Sequence, residues 1–132
     1  MTKYQSLIKQ LEAALQRLEE VLQQEKSTLI RDAAIKRFEF TFDLAWKVLK
    51  ALLKEKKGID CASPKDCFRA AYQQGVIEYN EIWLKMTDWR NEIVHIYNES
   101  EADRLYKNLP EISGAFQTLA RQLQTPPDEV SI

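Results

Sequence analysis

The feature that most narrows the folds open to this chain is how rarely it is punctuated. Only 3 Gly and 4 Pro occur in 132 residues. A many-stranded sheet needs frequent turns built on such residues, whereas long helices need few. The apolar residues agree. Tyr4, Leu7, Ile8, Leu11, Ala14, Leu15, Leu18, Val21 and Leu22 recur at spacings of three and four, which is one stripe on a helix over about residues 4–24.

A second helix is expected over about residues 28–56, with Ser27 as its N-cap and Gly58 as its stop. Its middle, from Phe38 to Trp46, is apolar on more than one face, so it lies centrally or touches a partner. A short third helix follows, capped by Ser63, with Pro64 at its first position, Asp66 at its positive end and Gly75 as its terminator. A fourth spans about residues 80–97. A fifth starts at Ser100 as N-cap and carries Leu105, Leu109, Ile112, Phe116, Leu119 and Leu123. Pro110 falls inside it, predicting a kink or two abutting helices. The fold class is all-α, a helical bundle in one domain over residues 1–124, with a flexible tail over 125–132.

Composition sets the broad class. Hydrophobic residues make up 45% and charged residues 30% of the chain, a globular balance. No apolar run nears the ~20 residues that span a bilayer, and the first ten residues hold no long apolar stretch. The expectation is a cytoplasmic protein with no membrane contact. Net charge is -1, which supplies no global attraction for nucleic acid. Lys47, Lys50, Lys54, Lys56 and Lys57 nevertheless crowd one stretch, either as a solvated helix end or as a patch facing an anion or RNA. Cys61 and Cys67 accompany the chain's 1 histidine. A four-ligand zinc site is therefore not expected, and in a reducing compartment the two are expected as free thiols.

One segment carries chemistry: Asp88-Trp89-Arg90-Asn91-Glu92-Ile93-Val94-His95-Ile96-Tyr97. Histidine exchanges protons near neutral pH, and arginine stabilises a phosphate or a developing oxyanion. Together they supply one acid/base and one anion clamp for phosphodiester chemistry. On a continuous helix Arg90 and His95 lie ~140° apart, while Asn91 and His95 stack, so the Asn91 amide can fix the imidazole tautomer. One copy makes a loose site, and two copies across a two-fold axis can make a tight one. The plainer alternative pairs Arg90 with Asp88 or Glu92 and leaves His95 on a backbone carbonyl.

The spacing Arg90-Asn91-x-x-x-His95-x-Tyr97 resembles the R-x4-H-x-Y motif of the HEPN (higher eukaryotes and prokaryotes nucleotide-binding) superfamily. The block from Phe38 to Lys47, then Ser63-Pro64-Lys65-Asp66, Ala70-Ala71, Gly75, Trp83 and Met86, resemble the bacterial branch named nucleotidyltransferase substrate-binding proteins. The resemblance covers roughly residues 5–124. It implies an antiparallel up-and-down bundle of four to five helices that forms a homodimer and associates with a minimal nucleotidyltransferase encoded beside it. It further implies Arg90 and His95 as catalytic residues of a metal-independent RNase site at the dimer interface, with Asn91 auxiliary. Tyr97 is implied as the acceptor of AMP from the nucleotidyltransferase, as in toxin–antitoxin pairs. The family carries no phosphate-gripping glycine loop and neither does this chain; no cofactor is expected.

Three functional expectations follow: a partner subunit of a minimal nucleotidyltransferase with a nucleotide or RNA site, a ribonuclease silenced at Tyr97, and a purely structural bundle. The aromatic residues of the second and fourth helices, Trp46, Trp83 and Trp89, exceed what one small bundle needs and predict the dimer interface. Glu39 and Asp43 share a helix face. They pair with Lys36, Arg37 or Lys47 at the surface, or they orient Arg90 in the cleft. Glu39, Asp43 and Lys47 are the candidate supporting residues.

Overall fold

The computed structural model describes residues 2–96 and 98–124. Among the described residues every regular element is helical: α1 (Lys3–Leu22), α2 (Thr28–Lys57), α3 (Pro64–Gln73), α4 (Ile82–Glu92), a 3-10 turn (Ile93–His95) and α5 (Glu99–Gln124). The fold is an all-α bundle. The expected loose tail over 125–132 and the motif residue Tyr97 lie outside the described residues.

Local chemistry sets most helix ends. The Thr2 hydroxyl accepts from the Gln5 amide while the Gln5 side chain accepts from the Thr2 amide, a reciprocal cap that starts α1. The Ser27 hydroxyl accepts from the Ile30 amide at 3.1 Å. Gly58 ends α2 at φ 65°, a left-handed conformation natural to glycine, and Lys54, Lys56 and Lys57 sit in that last turn. Ser63 accepts from the Asp66 amide with Pro64 at the first position of α3. Gly75, at φ 73°, turns the chain so that the amides of Gly75 and Val76 reach the carbonyls of Tyr72 and Ala71 at 3.0 and 2.9 Å.

Helix α2 is the hub, packing against α1, α3, α4 and α5. Its centre is ringed by aromatics drawn from three other elements. Phe42 meets Phe68 of α3 with centroids 5.8 Å apart, Phe68 stacks on Trp83 of α4 at 4.9 Å, Trp83 meets Phe116 of α5 at 5.8 Å, and Phe116 returns to Phe38 at 6.4 Å. Such pairs add roughly 0.5–1.5 kcal/mol each beyond area burial. Leu11, Leu15, Leu18 and Val21 bring the buried stripe of α1 onto the same core.

Three expectations about helix ends and continuity are amended here. The α-helix carrying the motif stops at Glu92 and tightens into a 3-10 turn, after which Ile96 is extended. The β-branched Ile93, Val94 and Ile96 crowd an α-helical turn, so no glycine or proline is needed to end it. Helix α5 begins at Glu99, and its cap is Asn98, whose side chain accepts from the Glu101 amide at 2.9 Å, rather than Ser100. Pro110 lies within one continuous α5, which removes two abutting helices from the two alternatives. It sits on the exposed face, where the carbonyl four residues back, deprived of its helical partner, can meet water.

Cys61 and Cys67 form a disulfide across a Cα–Cα distance of 5.2 Å rather than remaining free thiols. After Gly58 the chain doubles back so that Cys61 lies against the first turns of α3, where Cys67 is fully buried. That proximity is set by tertiary structure, which composition does not report. The aromatic surplus also needs amending. Trp83 is buried in the aromatic ring, and Trp46 and Trp89 are half-buried against the core. The large apolar side chains left exposed include Leu29, Phe40 and Val94.

Candidate functional site

Arg90 lies in the last turn of α4 and reaches across to α2. Its Nε donates to Asp43 Oδ1 at 3.1 Å and its Nη2 to Asp43 Oδ2 at 3.2 Å, a two-pronged bond. Its Nη1 lies 3.1 Å from Glu39 Oε2. Glu39 and Asp43 are one turn apart on α2, which lets two carboxylates grip one guanidinium. The other Glu39 oxygen accepts from Lys36 Nζ at 3.1 Å, so Glu39 makes both of the pairings left open for it. Asp88 pairs with Lys65 at 2.7 Å, joining α4 to α3, and takes no part in holding Arg90.

The hydrogen bonds Arg90 donates to Asp43 push its pKa up, partial burial opposes this, and the charges of Asp43 and Glu39 push it up further. Arg90 is therefore a permanent cation held in one orientation. Asp43 occupies two of its five N–H groups, and Nη protons remain for a ligand.

His95 closes the 3-10 turn and borders a different surface. It lines an open cleft of ≈ 540 Å³ between the end of α4 and the start of α5, together with Trp89, Glu92, Glu101, Arg104 and Asn108. Arg90 is not part of that lining. Within one chain, then, the Arg90 guanidinium is bonded to α2, and His95 borders the cleft beside α5. Asn91 is exposed in the last turn of α4. Its expected stacking on His95 presumed a helix continuing past Glu92, and the 3-10 turn changes that register. Lys47, one turn beyond Asp43, is exposed and shares a groove of ≈ 440 Å³ with Arg17, Phe40 and Asp43 between α1 and α2.

Sequence reasoning missed a second ionic cluster next to the motif. Arg31, 4% exposed, bonds Glu99 and, at 3.2 Å, Asp103, both in the first turns of α5, and it also bonds Asp32. Lys26 reaches Asp103 at 2.9 Å. These bonds tie the start of α5 to the start of α2. The Glu99 carboxyl is held below its ordinary range chiefly by the Arg31 hydrogen bond, and that of Asp103 by Lys26 and then Arg31. A signal was present: Arg31, Ala34 and Phe38 lie at spacings of three and four, placing an arginine on the buried stripe, where it must find partners.

Among the described residues no group of three or more His, Cys, Asp or Glu side chains is arranged to hold a metal ion, and no helix is long and apolar enough to cross a membrane.

The family described as "Nucleotidyltransferase substrate binding protein like" matches residues 3–125. The chain is 29% identical over 103 residues to a protein of Haemophilus influenzae named probable ribonuclease HepT, an alignment covering 75% of this chain and 70% of the relative. A solved structure of a Thermus thermophilus protein aligns with a TM-score of 0.80 at 40% identity, covering 86% of this chain and 98% of that one.

Proposed function

Because the chain belongs to the nucleotidyltransferase substrate-binding family of HEPN proteins, we propose that it is the partner subunit of a minimal nucleotidyltransferase in a toxin–antitoxin-like pair. It acts in the cytoplasm as a homodimer with a nucleotide or RNA site at the dimer interface. The observation that carries this reading is the fixed Arg90. Two carboxylates of α2 hold it in one orientation, while His95 lines a separate cleft. A second copy supplies the simplest way to bring an Arg90 and a His95 to one phosphate. Exposed Phe40 and Val94, flanking the Arg90 clamp in sequence on α2 and after α4, provide apolar surface for that contact. Tyr97 is the proposed acceptor of AMP.

The test is co-expression with the nucleotidyltransferase encoded nearby. Co-purification, a dimer by light scattering and AMP on Tyr97 by mass spectrometry are the expected results. A monomer at micromolar concentration that neither retains the transferase nor carries AMP would rule the reading out.

A second reading is favoured by the ribonuclease name of the Haemophilus relative: the chain itself is a metal-independent endoribonuclease. In that chemistry His95 takes the proton from a 2′-hydroxyl, whose oxygen attacks the adjacent phosphorus. Arg90 offsets the negative charge of the phosphorane, and the 5′-oxygen leaves with a proton taken from water while His95 gives its own to solvent, yielding a 2′,3′-cyclic phosphate and a 5′-hydroxyl.

A further inference from the structure

Three lysines of the α2 run fall on one exposed side of the helix. Lys47, Lys50 and Lys54 are spaced three and four apart, which aligns them along one face over ~10 Å. They border a groove of ≈ 590 Å³ between α1 and α2, joined there by Lys3 from the start of α1 and floored in part by Trp46. Lys50 Nζ lies 5.8 Å from the centroid of the Trp46 ring. Two carboxylates, Glu55 and Asp60, also line the groove against the four lysines. Asp60 is 3.6 Å from Lys54 with both side chains largely exposed, and a pair of that kind is weak enough for a phosphate to displace.

The groove has a direction. Lys47 belongs both to it and to the neighbouring groove lined by Arg17, Phe40 and Asp43, and Asp43 is the residue that grips Arg90. Three lysines therefore lead along α2 toward the guanidinium, with the Asp43 carboxylate between Lys47 and Arg90, in a protein whose net charge of -1 supplies no global attraction. Regularly spaced cations in a groove with half-buried aromatic surface suit a single-stranded polyphosphate chain, whose backbone follows the charges while its bases meet ring faces.

We propose that the groove bordered by Lys3, Lys47, Lys50 and Lys54 binds the phosphodiester backbone of single-stranded RNA and guides it to the Arg90 site. This rests on the RNA site of the proposed function and names the surface that captures the substrate. Binding is sequence-independent, because the groove offers charge and stacking rather than base-edge hydrogen bonds.

The test uses a fluorescein-labelled 2′-O-methyl RNA 12-mer, which lacks the attacking hydroxyl, so that binding is read by anisotropy without cleavage. The chain is titrated between about 50 and 200 mM salt. For the variant K47A/K50A/K54A, Kd should weaken at least about tenfold at low salt, and the slope of log K against log salt should shrink by about 2, at ~0.7 per phosphate contact on a single strand. K47R/K50R/K54R should restore binding, which separates lost charge from lost fold. R90A/H95A, which removes the proposed clamp and acid/base, should lose less affinity than K47A/K50A/K54A and keep most of the salt slope. If it binds and no variant or wild type cleaves natural RNA, the groove stands and the ribonuclease reading fails. An unchanged Kd and slope in the alanine variant would overturn the proposal, as would absence of RNA binding by the wild type. Loss of nucleotidyltransferase co-purification with RNA binding intact would overturn it equally, because the face would then dock a protein.

Discussion

Asp43 receives both the Nε and the Nη2 hydrogen bonds of Arg90, at 3.1 and 3.2 Å, from a residue 47 positions away in the chain. The pair joins the middle of α2 to the end of α4 and fixes the orientation of the proposed anion clamp. Asp43 is about one-third exposed and Arg90 about one-quarter, so solvent screens part of the attraction. A double-mutant cycle on Asp43→Ala and Arg90→Ala should give a coupling of about 1 kcal/mol, shrinking as salt rises. Urea unfolding of the four proteins measures it; no coupling at low salt would mean the bond forms without stabilising the fold.

Acid should loosen the other ionic cluster. Glu99 and Asp103 have their pKa values lowered in the folded chain by Arg31 and Lys26, so the folded state binds fewer protons than the unfolded state between the two values. Their stabilisation is present above the ordinary carboxylate pKa, about 4, and is lost as pH falls through the depressed values. Thermal melts from about pH 6 to 3 should show the wild type losing stability more steeply than Glu99→Gln/Asp103→Asn. The two should converge at the acid end. Parallel curves would show that the cluster contributes nothing to linkage.

The disulfide should be measurable without disturbing the rest of the fold. Cys61 and Cys67 are 6 residues apart, a small loop, for which chain entropy predicts about 2 kcal/mol. Cys61→Ser/Cys67→Ser should lose about that much, and reductant should change the wild type but not the variant. Alkylation of the denatured protein before and after reduction supplies the check: the thiols should react only after reduction.

If the chain cuts RNA, His95→Ala should slow cleavage by ~10²–10⁴-fold, the usual scale for one general acid/base. Arg90→Ala should do comparable damage to the rate with a smaller effect on stability. Cleavage should persist in EDTA. Product analysis should find 2′,3′-cyclic phosphate ends; a 3′-hydroxyl product would require a different chemistry.

Much of this was legible because helix ends are local. Ser27, Gly58, Ser63, Pro64 and Gly75 each act within a few residues through a hydrogen bond, a fixed φ or a left-handed turn, and those terms can be read from the chain alone. Glu39 and Asp43 were legible as a pair because four-residue spacing fixes a helix face, whereas the partner they would choose was open. The end of α4 was not legible, since Ile93 and Val94 continue the apolar pattern while the backbone tightens beneath them. Nor was the Asn98 cap, because Ser100 carries the same chemistry two residues later and only the path of the chain chooses between them. The disulfide and the carboxylate partners of Arg31 depend on elements meeting in space; spacing puts Arg31 on the buried stripe but does not say which groups meet it there.

Pro110 has one more consequence. It interrupts the hydrogen-bond ladder of α5 between the portion that walls the His95 cleft, with Glu101, Arg104 and Asn108, and the portion that seats Phe116, Leu119 and Leu123 in the core. A ladder with a missing rung does not transmit fraying past the gap at full strength. The cleft wall therefore stays docked through Leu105, Leu109 and the Arg31 contacts with Glu99 and Asp103 rather than through the backbone bond that Pro110 removes.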